Sequence, residues 1–394
     1  MAALTTTLTH RLFVVSLLTL LVLTGCQAAR LNPPQDREIL ADSDDVVDDT
    51  ELVVVTPSSA EARSLMQRAS PLGYTLLARD TMGELGLTML TVRIPEGQDG
   101  ASAIRELEGL EPGITAGVNH AYRPQRQTSR ARPRKTREYA PRLLRWPEVG
   151  CRAHVAIGVL DSKLVGPALM EVTSADFSRD NRNENALHGT QVVSLLHSSG
   201  MLRSPRIFHA DVVSPSERGG DAASVDSLVR GLNWVIGKGV RVVNVSLAGP
   251  YNKILDRAFA SAERKGIIIV APVGNAGPEE RVRYPAAFRS TISVTAVDAE
   301  TRIFRKAVRG RTIDFSAPGV DVAIRMPSRE MYVSGTSFAA PFVTATIAAD
   351  PSMMSARNAS SVRASLSRSA RDLGIAGHDP VFGNGLVQAP SNCV

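Results

Sequence analysis

Between residues 155 and 270 the chain repeats one theme, a short and almost continuous apolar run followed by a stretch with helical spacing. The runs are Val155 to Leu160, Ile207 to Ala210, Val242 to Val245 and Ile267 to Val270, and helices are predicted over 221–238 and 252–265. A strand with one wet face alternates apolar and polar residues, whereas a strand apolar at nearly every position is buried on both faces. Strands of that kind separated by helices specify an α/β domain, with a mainly parallel sheet between two layers of helices. Functional residues in such sheets gather at the carboxyl ends of strands. Asp161 ends the first run, Ser246 follows the third, and Asn275 follows the last within Gly274-Asn275-Ala276-Gly277.

Two further segments supply what those positions lack. His188 opens His188-Gly189-Thr190 ahead of a helical run at 191–196, and Ser337 lies in Gly335-Thr336-Ser337-Phe338-Ala339-Ala340-Pro341, opening an apolar helix over 338–348. A hydroxyl is a poor nucleophile at neutral pH. It needs a base to take its proton, a carboxylate to orient that base, and a donor for the oxyanion. Ser337, His188, Asp161 and Asn275 are one candidate for each role. Each has a plainer reading, since a strand-end Asp often caps a helix and a Ser at a helix start is a common N-cap.

The order Asp, His, Asn, Ser and the words around it resemble the subtilisin-like serine peptidases, the subtilases. The resemblance takes in Gly158-Val159-Leu160-Asp161-Ser162, Asn244-Val245-Ser246-Leu247, Tyr284-Pro285-Ala286, Ala296-Val297-Asp298, Phe315-Ser316-Ala317-Pro318-Gly319 and Gly383-Asn384-Gly385-Leu386-Val387. It covers roughly residues 140 to 390. It implies a subtilisin-like three-layer domain over 142–394 and a serine endopeptidase acting on protein or peptide substrates through an acyl-enzyme. It also implies that Ser246, Leu247, Ala248 and Gly249 pair with a substrate backbone. Pro272, Val273 and Gly274 would line the primary pocket, and the bulk of Pro272 and Val273 would narrow it. Two positions depart from the family pattern. Lys163 stands where Gly is usual, and Gln191 where many members carry a second His. No cofactor is expected; structural calcium is frequent in the family and stays open, although no Asp-rich loop here has calcium-ligand spacing to support it.

Residues 51–122 read as β-α-β-β-α-β, the ferredoxin-like order of a small α+β domain. Subtilase propeptides resemble this, which implies an intramolecular inhibitor and a zymogen. Two other readings stay open: a pseudoprotease that binds without turnover, and an N-terminal domain that is itself the functional binding module. Residues 123–141 read as an exposed basic linker where processing would occur. From Arg123 to Arg145 there are nine Lys or Arg and one acid, Glu138, so this stretch accounts for the positive net charge of +6 and the rest of the chain is slightly acidic. A localised basic run without aromatic interleaving does not support a nucleic-acid partner.

At the N-terminus Arg11 precedes an apolar run to Leu23, which fits the core of a signal peptide over 1–25. It ends in Leu23-Thr24-Gly25-Cys26, which resembles the lipobox of bacterial lipoproteins. The expectation is an exported protein, lipidated on Cys26 and held to a bacterial membrane, with Gln27 favouring the outer one. Residues 26–50, rich in Asp, read as a solvated tether. In an oxidising compartment Cys151 and Cys393 can form a disulfide; two unpaired thiols are the alternative.

Overall fold

The computed structural model describes residues 45–124, 127–128, 138–166, 172–180, 187–197, 199–216, 220–326 and 329–393. The expected signal run, Cys26 and most of the basic linker lie outside the described residues. Among the described residues no helix is long and apolar enough to cross a membrane.

The first sheet is antiparallel. It is built from β1 (Glu51–Thr56), β2 (Thr75–Met82), β3 (Leu87–Arg93) and β4 (Thr115–Val118), in the spatial order β2-β3-β1-β4. Helices α1 (Ser59–Ala69) and α2 (Gly100–Leu110) complete the ferredoxin-like order. Ser58 and Asp99 accept N-cap hydrogen bonds from Ala60 N and Ser102 N, which fixes where the two helices begin. Strand alternation divides β1 between two cores. Leu52 and Val54 face α1 and α2, while Val53 and Val55 face the rest of the molecule.

The chain then leaves this sheet. The sequence suggests one strand over 114–122, but β4 stops at Val118 and a new strand, β5 (Ala121–Pro124), joins the larger domain. The break falls at Asn119, whose buried side chain is claimed by the larger domain: its Oδ1 accepts from Val225 N (2.9 Å) and its Nδ2 donates to Asp226 Oδ1 (2.9 Å). Residues 45–50 are not a free tether either. Val46 bridges to His120, and Asp45 forms an ion pair with Arg283 (2.8 Å).

The larger domain holds seven parallel strands: β6 (Ala156–Asp161), β7 (Thr173–Asp176), β8 (Ile207–Asp211), β9 (Val240–Val245), β10 (Ile268–Pro272), β11 (Thr291–Val297) and β12 (Phe315–Pro318). Their order is β12-β11-β10-β9-β6-β8-β7. The chain builds outward from β6 to β8 on one side and from β9 on the other. The crevice at the carboxyl ends of β6 and β9 is therefore the switch point where such folds place their sites. Around the sheet run α3 (Leu187–His197), α4 (Val225–Gly237), α5 (Lys253–Arg264), α6 (Thr336–Ala349) and α7 (Ala359–Ser369). Helix α6 is buried along its whole length, as an all-apolar helix must be.

Residues 221–224, expected as the start of a helix, are a strand instead. Ala223 and Ser224 pair with Tyr122 and Ala121, and α4 begins only at Val225. The first domain docks on α4 and α5 through Val53, Val55, Met82, Leu85, Leu87 and Met89. At its β2–β3 turn, Glu84 N and Leu85 N donate to Asn233 Oδ1 (3.0 and 3.2 Å), and Ser261 Oγ donates to Leu85 O (2.5 Å).

Two titratable groups on β8 lie beside the crevice. His209 is fully enclosed, with Nε2 on Ser162 O (3.1 Å) and Nδ1 on Ser174 Oγ (2.9 Å), and burial holds it down to about 4. Asp211 is in register with both Asp161 and Asp176. Burial, with repulsion from those two carboxylates, pushes Asp211 up to about 7 against the opposing pull of Lys163. The folded state thus keeps a proton that the unfolded chain releases near pH 4. The stabilisation from Asp211 is complete below that pH and is lost as pH rises through about 7. Asp211→Asn, which stays neutral, is expected to gain about 1–3 kcal/mol on the wild type between pH 5 and pH 8. Denaturant titrations at the two pH values check this.

Cys151 and Cys393 are joined, with Cα atoms 5.1 Å apart and a sequence separation of 242. Closing so long a loop restricts the unfolded chain strongly, by about 3–5 kcal/mol on the loop-entropy account. Thermal melts with and without reductant, in a Ser337→Ala background to prevent self-digestion, are expected to show a clear drop in Tm on reduction. An unchanged Tm would mean the bridge contributes nothing.

Candidate active site

Asp161, His188 and Ser337 come from β6, α3 and α6 and meet at the switch point. All three are buried. His188 Nδ1 is 2.7 Å from Asp161 Oδ1, and His188 Nε2 is 3.0 Å from Ser337 Oγ. Asp161 Oδ1 also accepts from Ser162 N (2.7 Å), so that oxygen is held before the imidazole arrives. With Asp161 accepting at Nδ1–H, the neutral ring presents Nε2 as an acceptor to the hydroxyl.

The approach of α3 to β6 depends on Gly189. A Cβ there would stand 1.9 Å from Ser162 O. Ser162 Oγ accepts from Gly189 N (2.9 Å), and the His188 ring packs against Phe338 with centroids 5.4 Å apart. Of the two departures noted in the sequence, Gln191 is buried in α3 with its Nε2 on Met331 Sδ (3.5 Å). Lys163 lies at the end of β6 within electrostatic reach of Asp211.

Asn275 is oriented by a residue the sequence reading passed over. Thr336 donates both its backbone N–H (3.1 Å) and its hydroxyl (2.9 Å) to Asn275 Oδ1. A backbone N–H can only donate, so Oδ1 must face Thr336 and the amide nitrogen must face the other way. Gly274 N donates to Thr336 Oγ1 (3.3 Å), and Gly274 adopts φ +106°, a conformation suited to glycine. The signal was present in the sequence, since Thr336 immediately precedes Ser337.

The four residues 246–249 divide their work. Leu247 and Ala248 pair antiparallel with Pro124 and Arg123 of β5. Gly249 lies under the Tyr122 ring, where a Cβ would be 2.7 Å from Tyr122 Cδ1. Tyr122 is fully buried and its hydroxyl donates to Pro250 O (2.7 Å). Ser246 turns the other way, and its hydroxyl donates to Ser337 O (3.0 Å). Pro341 explains that bond. Lacking an N–H, it cannot bond the carbonyl four residues earlier, and Ser246 supplies the missing donor.

Pro272 is buried at the end of β10, and Val273 is enclosed by Val282, Val308 and Ile313. The bulk expected to narrow a pocket is therefore spent, at Val273, on this small cluster. Among the described residues no group of three or more His, Cys, Asp or Glu could hold a metal ion.

Comparison with known proteins bears on the family and the fold. Residues 154–385 match the subtilase family profile. The chain is 30% identical over 256 residues to subtilisin DY of Bacillus licheniformis, covering 60% of this chain and 89% of that protein. It is 27% identical over 248 residues to the minor extracellular protease Epr of Bacillus subtilis, but spans only 38% of that protein's length. Among solved structures, fervidolysin from Fervidobacterium pennivorans, a keratinolytic enzyme related to subtilisin, superposes with a TM-score of 0.67 at 16% identity, covering 87% of this chain and 60% of that one. With the family profile spanning more than half of its length and its Asp161, His188 and Ser337 hydrogen-bonded in series, the chain belongs to the subtilase family.

Proposed function

We propose that the protein is a serine endopeptidase made as a self-processing zymogen. The observation that carries this reading is the series Asp161–His188–Ser337, with bonds of 2.7 and 3.0 Å, beside a groove already filled by the chain's own strand. Ser337 Oγ attacks the peptide carbonyl carbon while His188 Nε2 takes its proton. Asp161 holds the imidazole by Nδ1 and stabilises the imidazolium that forms. The oxyanion of the tetrahedral intermediate is met by the Asn275 amide and the Ser337 N–H at the start of α6. His188 then gives the proton to the leaving amine. Water, activated by the same base, releases the acyl group.

The zymogen reading is supported by β5, which lies between Leu247–Ala248 and Ala223–Ser224 in antiparallel register on both sides. An extended substrate adds to an open sheet edge in this way, with main-chain bonds giving affinity and side-chain pockets giving preference. Residues 51–118, docked on α4 and α5, hold β5 in place and so exclude other peptides. Processing would then fall after Pro124, within the basic segment. A pseudoprotease would need no such complete set of donors and base.

Intact mass of a chain starting after Cys26 is expected to show two fragments for the wild type and one uncut species for Ser337→Ala. Asn275→Ala is expected to fold and process, but about 10²–10³-fold more slowly in kcat, the scale known for the equivalent donor in subtilisin. If neither the wild type nor the variants split, the pseudoprotease reading gains. Splitting of both would assign processing to another enzyme.

We further propose export and lipid anchoring through Cys26, supported by the Leu23-Thr24-Gly25-Cys26 word and by the disulfide, which needs an oxidising compartment. Multiple acyl chains hold a protein to a membrane far more firmly than one. Cys26→Ala is expected to move the protein from the membrane fraction to the soluble one. Fractionation followed by immunoblotting decides it.

A further inference from the structure

Three charged side chains meet at the outer edge of the groove. Arg123 sits on β5 opposite Ala248, next to the inward-facing Tyr122. Neighbours along a strand point to opposite faces, so the Arg123 side chain leaves the groove on the side away from the tyrosine pocket. Arg283 borders the same edge. The next residue, Tyr284, exchanges two backbone hydrogen bonds with Gly249 (2.8 and 3.0 Å), and Arg283 N donates to Val273 O (3.3 Å). Asp45 lies between the two cations, 2.8 Å from Arg283 Nη2 and 3.7 Å from Arg123 Nε. All three side chains are partly shielded, with exposures of 22% for Asp45, 30% for Arg123 and 36% for Arg283.

Asp45 does not belong to the groove. It arrives on the N-terminal segment, which runs antiparallel to the residues before β5 through the Val46–His120 bridge. A separate peptide lying along Leu247–Ala248 brings no such segment. Because Arg123 and Arg283 reach the same Asp45 carboxylate, a side chain placed at the Arg123 position comes into the neighbourhood of Arg283. An acid there takes over the role of the Asp45 carboxylate. A Lys or Arg there meets a like charge with nothing between them.

We propose that Arg283 is a specificity-determining residue that selects an acidic side chain at the substrate position aligned with Ala248. Asp45 is the chain's own device for seating a basic residue at that position before processing. The inference rests on the reading that β5 lies as a substrate lies. Each contact is partly exposed and individually weak. Attraction to the acid and repulsion of the base act in the same direction, however, so selectivity comes from both. The expected discrimination is about three- to tenfold in kcat/KM at low ionic strength, shrinking toward unity near 1 M salt.

The test uses the self-processed enzyme and two quenched fluorescent octapeptides with the sequence of residues 121–128, Ala-Tyr-X-Pro-Gln-Arg-Gln-Thr, where X is Glu or Arg. The Glu peptide is expected to be cut three- to tenfold more efficiently, and Arg283→Gln is expected to bring the ratio close to one. In the full chain, Asp45→Asn is expected to slow self-processing, and adding Arg283→Gln is expected to restore it. Equal rates on the two peptides, or a ratio that survives Arg283→Gln, overturns the proposal while leaving the protease reading intact. Absence of both peptide cleavage and self-processing overturns the protease reading and this inference with it.

Discussion

Burying the N-terminal end of α6 is the constraint on which the site depends. A helix end carries backbone N–H groups without intrahelical partners, and in a dry interior each must find one. Pro341 adds a carbonyl orphan at Ser337 on the same turn. The partners that settle these groups are the parts of the site. Thr336 N reaches Asn275 Oδ1, Gly335 N reaches Gly319 O, and Ser246 Oγ reaches Ser337 O. Satisfying the helix therefore aims the Asn275 amide and fixes the height of Ser337 above the sheet. Asn244 extends the brace, donating to Ser246 Oγ (2.8 Å) and accepting from Thr344 Oγ1 (3.2 Å) one turn further along α6.

The same accounting governs the groove. Leu247–Ala248 and Ala223–Ser224 are two short edges that face each other across the width of one strand. Left open, they present unpaired N–H and C=O groups, and β5 satisfies both at once. On the zymogen reading proposed above, the interactions that hold this strand are those that would hold a substrate. The first domain supplies the rest through its apolar face and through ionic contacts at the head of α4. There buried Asp226 meets Asn119 and Arg230, and Arg179 links it to Glu51 (2.8 Å). Arg179 and Arg230 hold the Asp226 carboxyl below its usual range in spite of burial.

The sequence disclosed what is local. Asp161, His188 and Ser337 each sit in a short word whose neighbours are fixed by close packing, such as Gly189 against Ser162 O. The near-continuous apolar runs disclosed the parallel sheet, because only strands covered on both faces read that way. What stayed hidden is tertiary. Residues 221–224 follow a helical pattern in isolation, and only the arrival of β5 makes them a strand. The split of the 114–122 segment depends on Asn119 finding Val225 and Asp226, more than a hundred residues away. Residues 45–50 read as tether by composition, because nothing in an acidic run announces that Arg283 is waiting for one of its members. Ser246 was expected to pair with a substrate backbone alongside its neighbours, and its bond to Ser337 O, which follows from a proline ninety-five positions later, was not legible.

The alternation of β5 separates two kinds of recognition that a single side chain could not combine. Tyr122 turns inward, over the bare face of Gly249, into an apolar cluster that includes Tyr251, Tyr284 and Phe288 in mutual edge and tilted ring contacts. Its fit is set by volume and by one hydrogen bond to Pro250 O, so it is insensitive to salt and unforgiving of shape. Arg123 turns outward into a half-wet patch where only net charge matters and where salt weakens every term. Tyr284 joins the two, because its ring packs edge-on in the apolar cluster while its backbone pairs with Gly249 and places Arg283 at the rim. A change at residue 284 therefore disturbs both the apolar pocket and the charged edge, whereas a change at Arg283 reaches only the charge.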